Sequence, residues 1–348
     1  MAYTTINKST DYFNTLIYTG NGSSPRNITG VGFQPDWLWI KNRDAAQSNF
    51  LFDAVRGVSK AIFSDSSAAE STQSQTQTAF LSDGFTVGND AASNGNGNGI
   101  VSWNWKANGQ GSSNTDGSIN TTYTSVNTTA GFSISSYTGN GSAGATVGHG
   151  LGAVPKMMII KQTSSNGGSE NWAVYHHKIG NTDALYLSTT NSVVGSNYFW
   201  NNTTPSSTLF TLGSGDHVNN NTVSYIAYCF AEKTGYSKFG SYTGNGNADG
   251  AFIYLGFKPA FVMIKRTDGA DTWTMYDNKR TGFNVDNNPL FANAVTTEST
   301  DDDLDILSNG FKIRRNSGRI NTSGGNFIYM AFAAAPLVGT NNIPATAR

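Results

Sequence analysis

The side chains here that could do chemistry are four histidines, twenty-three acids and the thiol of Cys229. Their spacing argues against most chemistries. His149 stands in Gly148-His149-Gly150-Leu151-Gly152, but Pro155 and an apolar run follow, not the helix start that a nucleotide-binding glycine loop requires. The string reads as a turn. His176 and His177 are adjacent, so on a strand they point to opposite sides and do not share a metal. Asp53 and Asp277 each precede an arginine by three residues (Arg56, Arg280), the spacing of a local ion pair in a turn. A glycosidase would need two carboxylates facing across a cleft. Asp301-Asp302-Asp303-Leu304-Asp305 offers oxygens to calcium, but it lacks the spacing and closing glutamate of an EF-hand. It reads first as a solvated acidic loop, with calcium as the lesser alternative. Tyr198-Phe199-Trp200-Asn201-Asn202 sets rings that could stack on a sugar beside amides that could bond its hydroxyls. Tyr198, Trp200, Asn201 and Asn202 are therefore candidate glycan or receptor contacts. The competing reading, toward which the sequence leans, is that these rings cover an edge of a core. No catalytic, cofactor-binding or metal-ligating residue is assigned, and no cofactor is expected.

The elements that would hold these residues come in three copies. Tyr18-Thr19-Gly20-Asn21-Gly22 recurs at Tyr137–Gly141 and at Tyr242–Gly246. After each copy come a glycine, a proline and an apolar run ending in lysine: Gly32 to Lys41, Gly152 to Lys161, Gly256 to Lys265. Phe52–Gly57 matches Tyr276–Gly282, with Val174–Gly180 in the middle place, where His176 replaces the aspartate. A position that changes type among copies is a poor candidate for shared catalysis. Leu81-Ser82-Asp83-Gly84-Phe85 matches Leu307-Ser308-Asn309-Gly310-Phe311, whereas the middle copy, around Leu209–Leu212, lacks that turn. Each copy closes on an aromatic run: Val101–Trp105, Tyr225–Phe230, Ile328–Phe332. Tyr3–Asn7 parallels Tyr123–Asn127. These landmarks predict units over 1–110, 111–232 and 233–348, with a flexible connection at 107–117, units two and three abutting, and a short C-terminal tail.

Charged residues are only 13% of the chain while aromatics reach 12%, and Gly, Asn, Ser and Thr fill the difference. Those residues favour turns and compete with helix. Short apolar runs divided by turns over about a hundred residues predict an all-β chain of three tandem concanavalin-like or jelly-roll antiparallel sandwiches. Pro35, Pro155 and Pro259 suit strand starts. Trp37-Leu38-Trp39-Ile40-Lys41 is apolar on both faces, so that strand is central, and Trp103 and Trp105 face inward with Val101. Asp83-Gly84 and Asn309-Gly310 read as hairpin turns tolerant of positive φ. Each unit is expected to bury its own core, as a bead. A net charge of -1 gives no field to gather nucleic acid or anionic membrane. A single cysteine makes no intrachain disulfide, no run is long and apolar enough for a bilayer, and the start carries no secretory pattern. Synthesis in the cytoplasm of a host and release by lysis are expected.

Read together, YTGNG, GFQPDWLWIKNRD, FDAVRG, SDGFTVG and VSWNWKANG in the first unit, AGFSISSYTGNGSAGATVGHGLGAVPKMMIIK and NWAVYH in the second, and FIYMAFAAAP at the end resemble a repeat domain of marine bacteriophage tail and other virion structural proteins. The phages concerned infect cyanobacteria and abundant open-ocean heterotrophs. The resemblance spans nearly the whole chain. It implies a concanavalin-like sandwich and a place on the virion exterior, in tail or capsid, and it brings neither a ligand nor catalytic residues. The expected function is a tail fibre or tail-tip component that attaches to the host surface. A capsid decoration or head fibre is the alternative, and a polysaccharide depolymerase a more distant one. Expected partners are copies of itself, with a trimer favoured, other virion proteins, and a host glycan or protein.

Overall fold

The protein is described by a computed structural model over residues 3–280 and 288–338. It is all-β, with antiparallel sheets and single-turn helices. Each unit has one large sheet built in the same order: the YTGNG strand, the closing aromatic strand, the lysine-ended strand, then the strand after it. In unit one these are Phe13–Thr19, Gly99–Trp105, Trp37–Asn42 and Phe50–Asp53. In unit two they are Phe132–Thr138, Ser224–Phe230, Met157–Gln162 and Ala173–His176, with Tyr123–Asn127 added at the edge. In unit three they are Ser237–Thr243, Asn326–Pro336, Phe257–Arg266 and Trp273–Asp277. Tyr3–Asn7, despite its likeness to Tyr123–Asn127, forms no strand.

A small sheet covers the outer face of each large one. Those of units one and three have three strands, and that of unit two has only Thr146–Gly148 with Leu209–Thr211, matching its missing turn. Gly84, at φ +146°, and Gly310 open the return strands of the outer hairpins, and at both a Cβ would lie 2.0 Å from a carbonyl oxygen, that of Ile28 or Ile253. Three peripheral cores fill the space between large and small sheets.

The inner faces do not stand apart as beads. Trp37, Trp39, Trp103 and Trp105 of unit one meet Phe132, Tyr228 and Phe230 of unit two and Phe239, Phe261 and Phe332 of unit three in one central core. Trp37 lies over Tyr228 with ring centroids 4.6 Å apart, and Phe13 stacks on Phe332 at 5.2 Å. Both faces of the strands are apolar because one serves a private core and the other the shared one. Aromatic side chains bury 150–250 Å² each, so about ten of them supply most of the apolar area removed from water here.

Polar side chains close the three units into a ring. The strand-ending lysines are fully buried, and each ammonium donates to one carbonyl of its own unit and one of a neighbour: Lys41 to Gln47 and Val295, Lys161 to Ser67 and Glu170, Lys265 to Thr190 and Asp271. Unit one thus reaches unit three, unit two reaches unit one, and unit three reaches unit two. Burial pushes all three lysines down to about 8. The residue four before Asp53, His176 or Asp277 repeats the pattern. Trp172 Nε1 donates to Phe63 O at 2.8 Å, Trp273 Nε1 to Tyr186 O at 2.8 Å, and Asn49 Nδ2 to Phe291 O at 3.1 Å.

The YTGNG segments are each held by a buried asparagine. Asn94, Asn219 and Asn321 accept from the backbone N–H of Asn21, Asn140 and Asn245 at 3.0, 2.9 and 2.9 Å. The segment 107–117, expected to be a flexible connection, is tied down: the N–H groups of Ala107 and Gly109 donate to Asp36, and Asn114 bonds with Thr121.

Candidate functional site: the diverged middle unit

The ring makes equivalent positions comparable. In unit one, buried Asp53 accepts from Arg56 at 2.6 Å and from Tyr228 Oη of unit two at 2.7 Å. In unit three, Asp277 accepts from Arg280 at 2.7 Å and from Trp103 Nε1 of unit one at 3.0 Å. The local ion pairs expected from spacing are present, and both are almost wholly enclosed. For this position in unit two the residue equivalent to Tyr228 and Trp103 is Met330, which pairs with Met263 as they pair with Ile159 and Trp39, and it has no proton to donate. An aspartate there would be a buried acceptor short of its partner, which is costly. His176 stands there instead and accepts from Lys178 N–H on Nδ1, so its Nε2 proton points to Tyr329 O at 3.3 Å. Burial pushes its pKa down to about 3, keeping it neutral. His177 lies just past the strand end, so alternation does not separate the pair. Their rings are 5.3 Å apart, and both bond carbonyls of unit three.

Two further positions change together. Arg56 and Arg280 each reach a glutamate, Glu70 at 3.2 Å and Glu298 at 3.0 Å. Glu70, Val193 and Glu298 are equivalent, because their N–H groups donate to the carbonyls of Thr163, Thr267 and Arg43, each two residues past a buried lysine. Burial works to raise the Glu298 pKa, but Arg43, Arg280 and Asn288 prevail and hold it at about 2. In unit two the arginine is Ile179 and the glutamate Val193. Loss of both long side chains opens the groove between units two and three to about 490 Å³, against about 280 Å³ between units one and two. Ile179 and Val193 are part of its lining, with Lys178, Asp183, Tyr242 and Asp268 beside them.

On the other side of the same edge strand, Val194–Gly195, lies a cavity of about 510 Å³. The helical turn Asn197–Trp200, capped by Ser196, forms one wall. Of its three rings only Tyr198 faces out, at 61% exposure, while Phe199 and Trp200 turn into the core of unit two. Trp200 packs edge-on against Tyr175 and donates Nε1 to Asp183 O at 3.0 Å. It is therefore no sugar-stacking platform, and the core reading of these rings holds for it. Asn201 and Asn202 take left-handed backbone to leave the turn, with φ of 50° and 52°. Neither lines the cavity, and Asn202 O accepts from Asn181.

The opposite wall comes from Glu170, Tyr186 and the segment Ser214–His217. Gly213 lets this segment approach, since a Cβ there would meet Tyr198 O at 2.2 Å. Tyr186 and His217 stack at 5.0 Å, and Glu170 Oε2 lies 3.1 Å from His217 Nε2. Burial lowers the His217 pKa against the pull of Glu170. No spacing rule ties Glu170, Tyr186 and His217 together in the sequence; only the fold does.

The other sequence candidates resolve into structure. His149 is buried, with Nε2 bonded to Ser206 O and burial pushing it down to about 4. The acidic loop is consumed by cations: Asp301 pairs with Arg315 and Arg319, Asp303 with Arg319 and the Tyr276 hydroxyl, and Asp305 with Arg314. Among the described residues no group of three His, Cys, Asp or Glu side chains is placed to hold a metal ion.

The family model of a domain of unknown function, DUF7483, matches residues 8–336, and the chain belongs to that family. The single match covers all three units. No curated protein and no solved structure matches the chain.

Proposed function

We propose that this chain is a phage virion structural protein, a tail fibre or tail-tip component that attaches to the host surface, with each unit a concanavalin-like sandwich. One observation carries the reading. The positions that lock units one and three with buried ion pairs are altered in unit two, so a rigid frame presents open clefts on its diverged member. The likeness of its repeats to marine phage virion domains supports the same view. In this reading the chain joins other virion proteins and copies of itself, and it binds rather than catalyses.

Immunogold labelling and cryo-electron microscopy of purified virions test this. Density or label at the tail is the expected result. Label on the head would move the chain to the decoration alternative, and absence from virions would end the proposal. Light scattering of the purified chain reads its assembly with itself, for which a trimer is expected.

A further inference from the structure

We infer that the outer cleft of unit two, walled by Glu170, Tyr186, Tyr198, Ser214, Asp216 and His217, binds an uncharged pyranose residue of a glycan. The inference deepens the attachment reading and rests on it for where such a glycan is met; the binding chemistry stands on the cleft itself.

A pyranose has an apolar face of C–H groups and a rim of hydroxyls. It is held by an aromatic face against the first and by fixed acceptors and donors against the second. This cleft supplies both. Tyr198 is 61% exposed beside ring neighbours that are buried to 3% and 0%, so the turn spends its two inward positions on the core and holds one ring at the lip. Tyr186, stiffened by its stack on His217, gives a second ring on the opposite wall. Glu170 and His217 orient one another at 3.1 Å, so a carboxylate and an imidazole are pre-set for hydroxyls. The charge pattern sets the class. Glu170 and Asp216 line the cleft and no Lys or Arg does, among the described residues. Lys161, which lies behind this wall, is fully buried and donates to the carbonyls of Ser67 and Glu170. A uronate or sulfated sugar would bring its anion against two carboxylates, whereas a neutral hexose or N-acetylhexosamine would not. The turn Asn197–Trp200 has no counterpart among the described residues of the other units, so the site is single.

The test is a glycan microarray probed with the full chain, printed with neutral hexose and N-acetylhexosamine oligomers and with uronate-bearing and sulfated ones. Calorimetry on the best-bound neutral oligomer follows. Binding confined to neutral glycans is expected. Tyr198→Ala is expected to weaken it by about tenfold, the loss of one ring contact of roughly 1.4 kcal/mol, with an unchanged melting temperature. Val58→Ala, at an exposed site on unit one, is expected to leave affinity as it was. No bound glycan, a preference for anionic ones, or full affinity in Tyr198→Ala overturns the inference. A chain found in the tail that binds no sugar sinks this proposal alone, and a sugar-binding chain absent from virions sinks the attachment reading alone.

Discussion

Units one and three meet their neighbours through a buried aspartate, arginine and glutamate; unit two meets unit three through histidine, isoleucine and valine at the same three places. The backbone order is shared, so the difference lies in what each neighbour offers. Trp103 and Tyr228 donate a proton to an aspartate, and Met330 cannot. Once the aspartate is gone, an enclosed arginine loses its closer carboxylate, and with the glutamate also replaced an apolar residue serves better. The open groove follows from one missing donor on another strand. A repeat protein can thus obtain a cavity by relaxing its own internal symmetry.

The shared core gives the severest way to break this comparison. Trp37→Ala should cost about 3–5 kcal/mol and lower one cooperative transition, read by calorimetry. Separate melting of the units would show that they are beads after all. Asp277→Ala leaves enclosed Arg280 with Glu298 as its one remaining carboxylate and Trp103 Nε1 without its acceptor, and should cost about 2–4 kcal/mol in urea denaturation. The equivalence itself is sharpened by a swap. His176→Asp should lose about 3 kcal/mol, and adding Met330→Tyr should recover more than half; no recovery would mean that the facing residue does not set the choice.

Acidity gives the mildest test. His176 titrates near 3 when folded and near the ordinary histidine range when unfolded, so the unfolded chain holds the extra proton between these values. Stability therefore rises with pH from about 3 to about 6.5, by at most about 1.4 kcal/mol per pH unit from this group. His149 adds in the same direction above about 4. Urea midpoints should rise less steeply with pH between about 4.5 and 6.5 in the His176→Asp, Met330→Tyr variant, where His149 still contributes.

Much of the frame was legible in the residues. Two motifs kept in register located the copies, and alternating tryptophans marked central strands. The closing of the frame was not legible. A strand apolar on both faces says that each side is covered, but not that one cover is two other units. The asparagines that hold the YTGNG segments are some eighty residues away in polar loops, and nothing in Asn94-Gly95-Asn96 separates the buried amide from its exposed neighbours. At the candidate site the sequence marked the right turn and one of its rings, Tyr198, but set buried Trp200 beside it and missed Tyr186. Periodicity is too short over four residues to tell that Trp200 points inward and Tyr198 outward. Glu170, Tyr186 and His217 meet through tertiary approach alone.

Ring closure sets an order of events during synthesis. Lys41 finds its second carbonyl at Val295, and Arg43 its carboxylate at Glu298, 254 and 255 residues onward. A nascent chain that has made the tryptophans of unit one must wait for some two hundred further residues before Phe261 and Phe332 arrive to cover them, about 10–40 s at ordinary ribosome speeds. Through that interval a broad indole face is open to chaperones and to other nascent copies. A second chain's last unit could occupy it, so crowded polysomes are where exchanged, interlocked dimers of this protein should form.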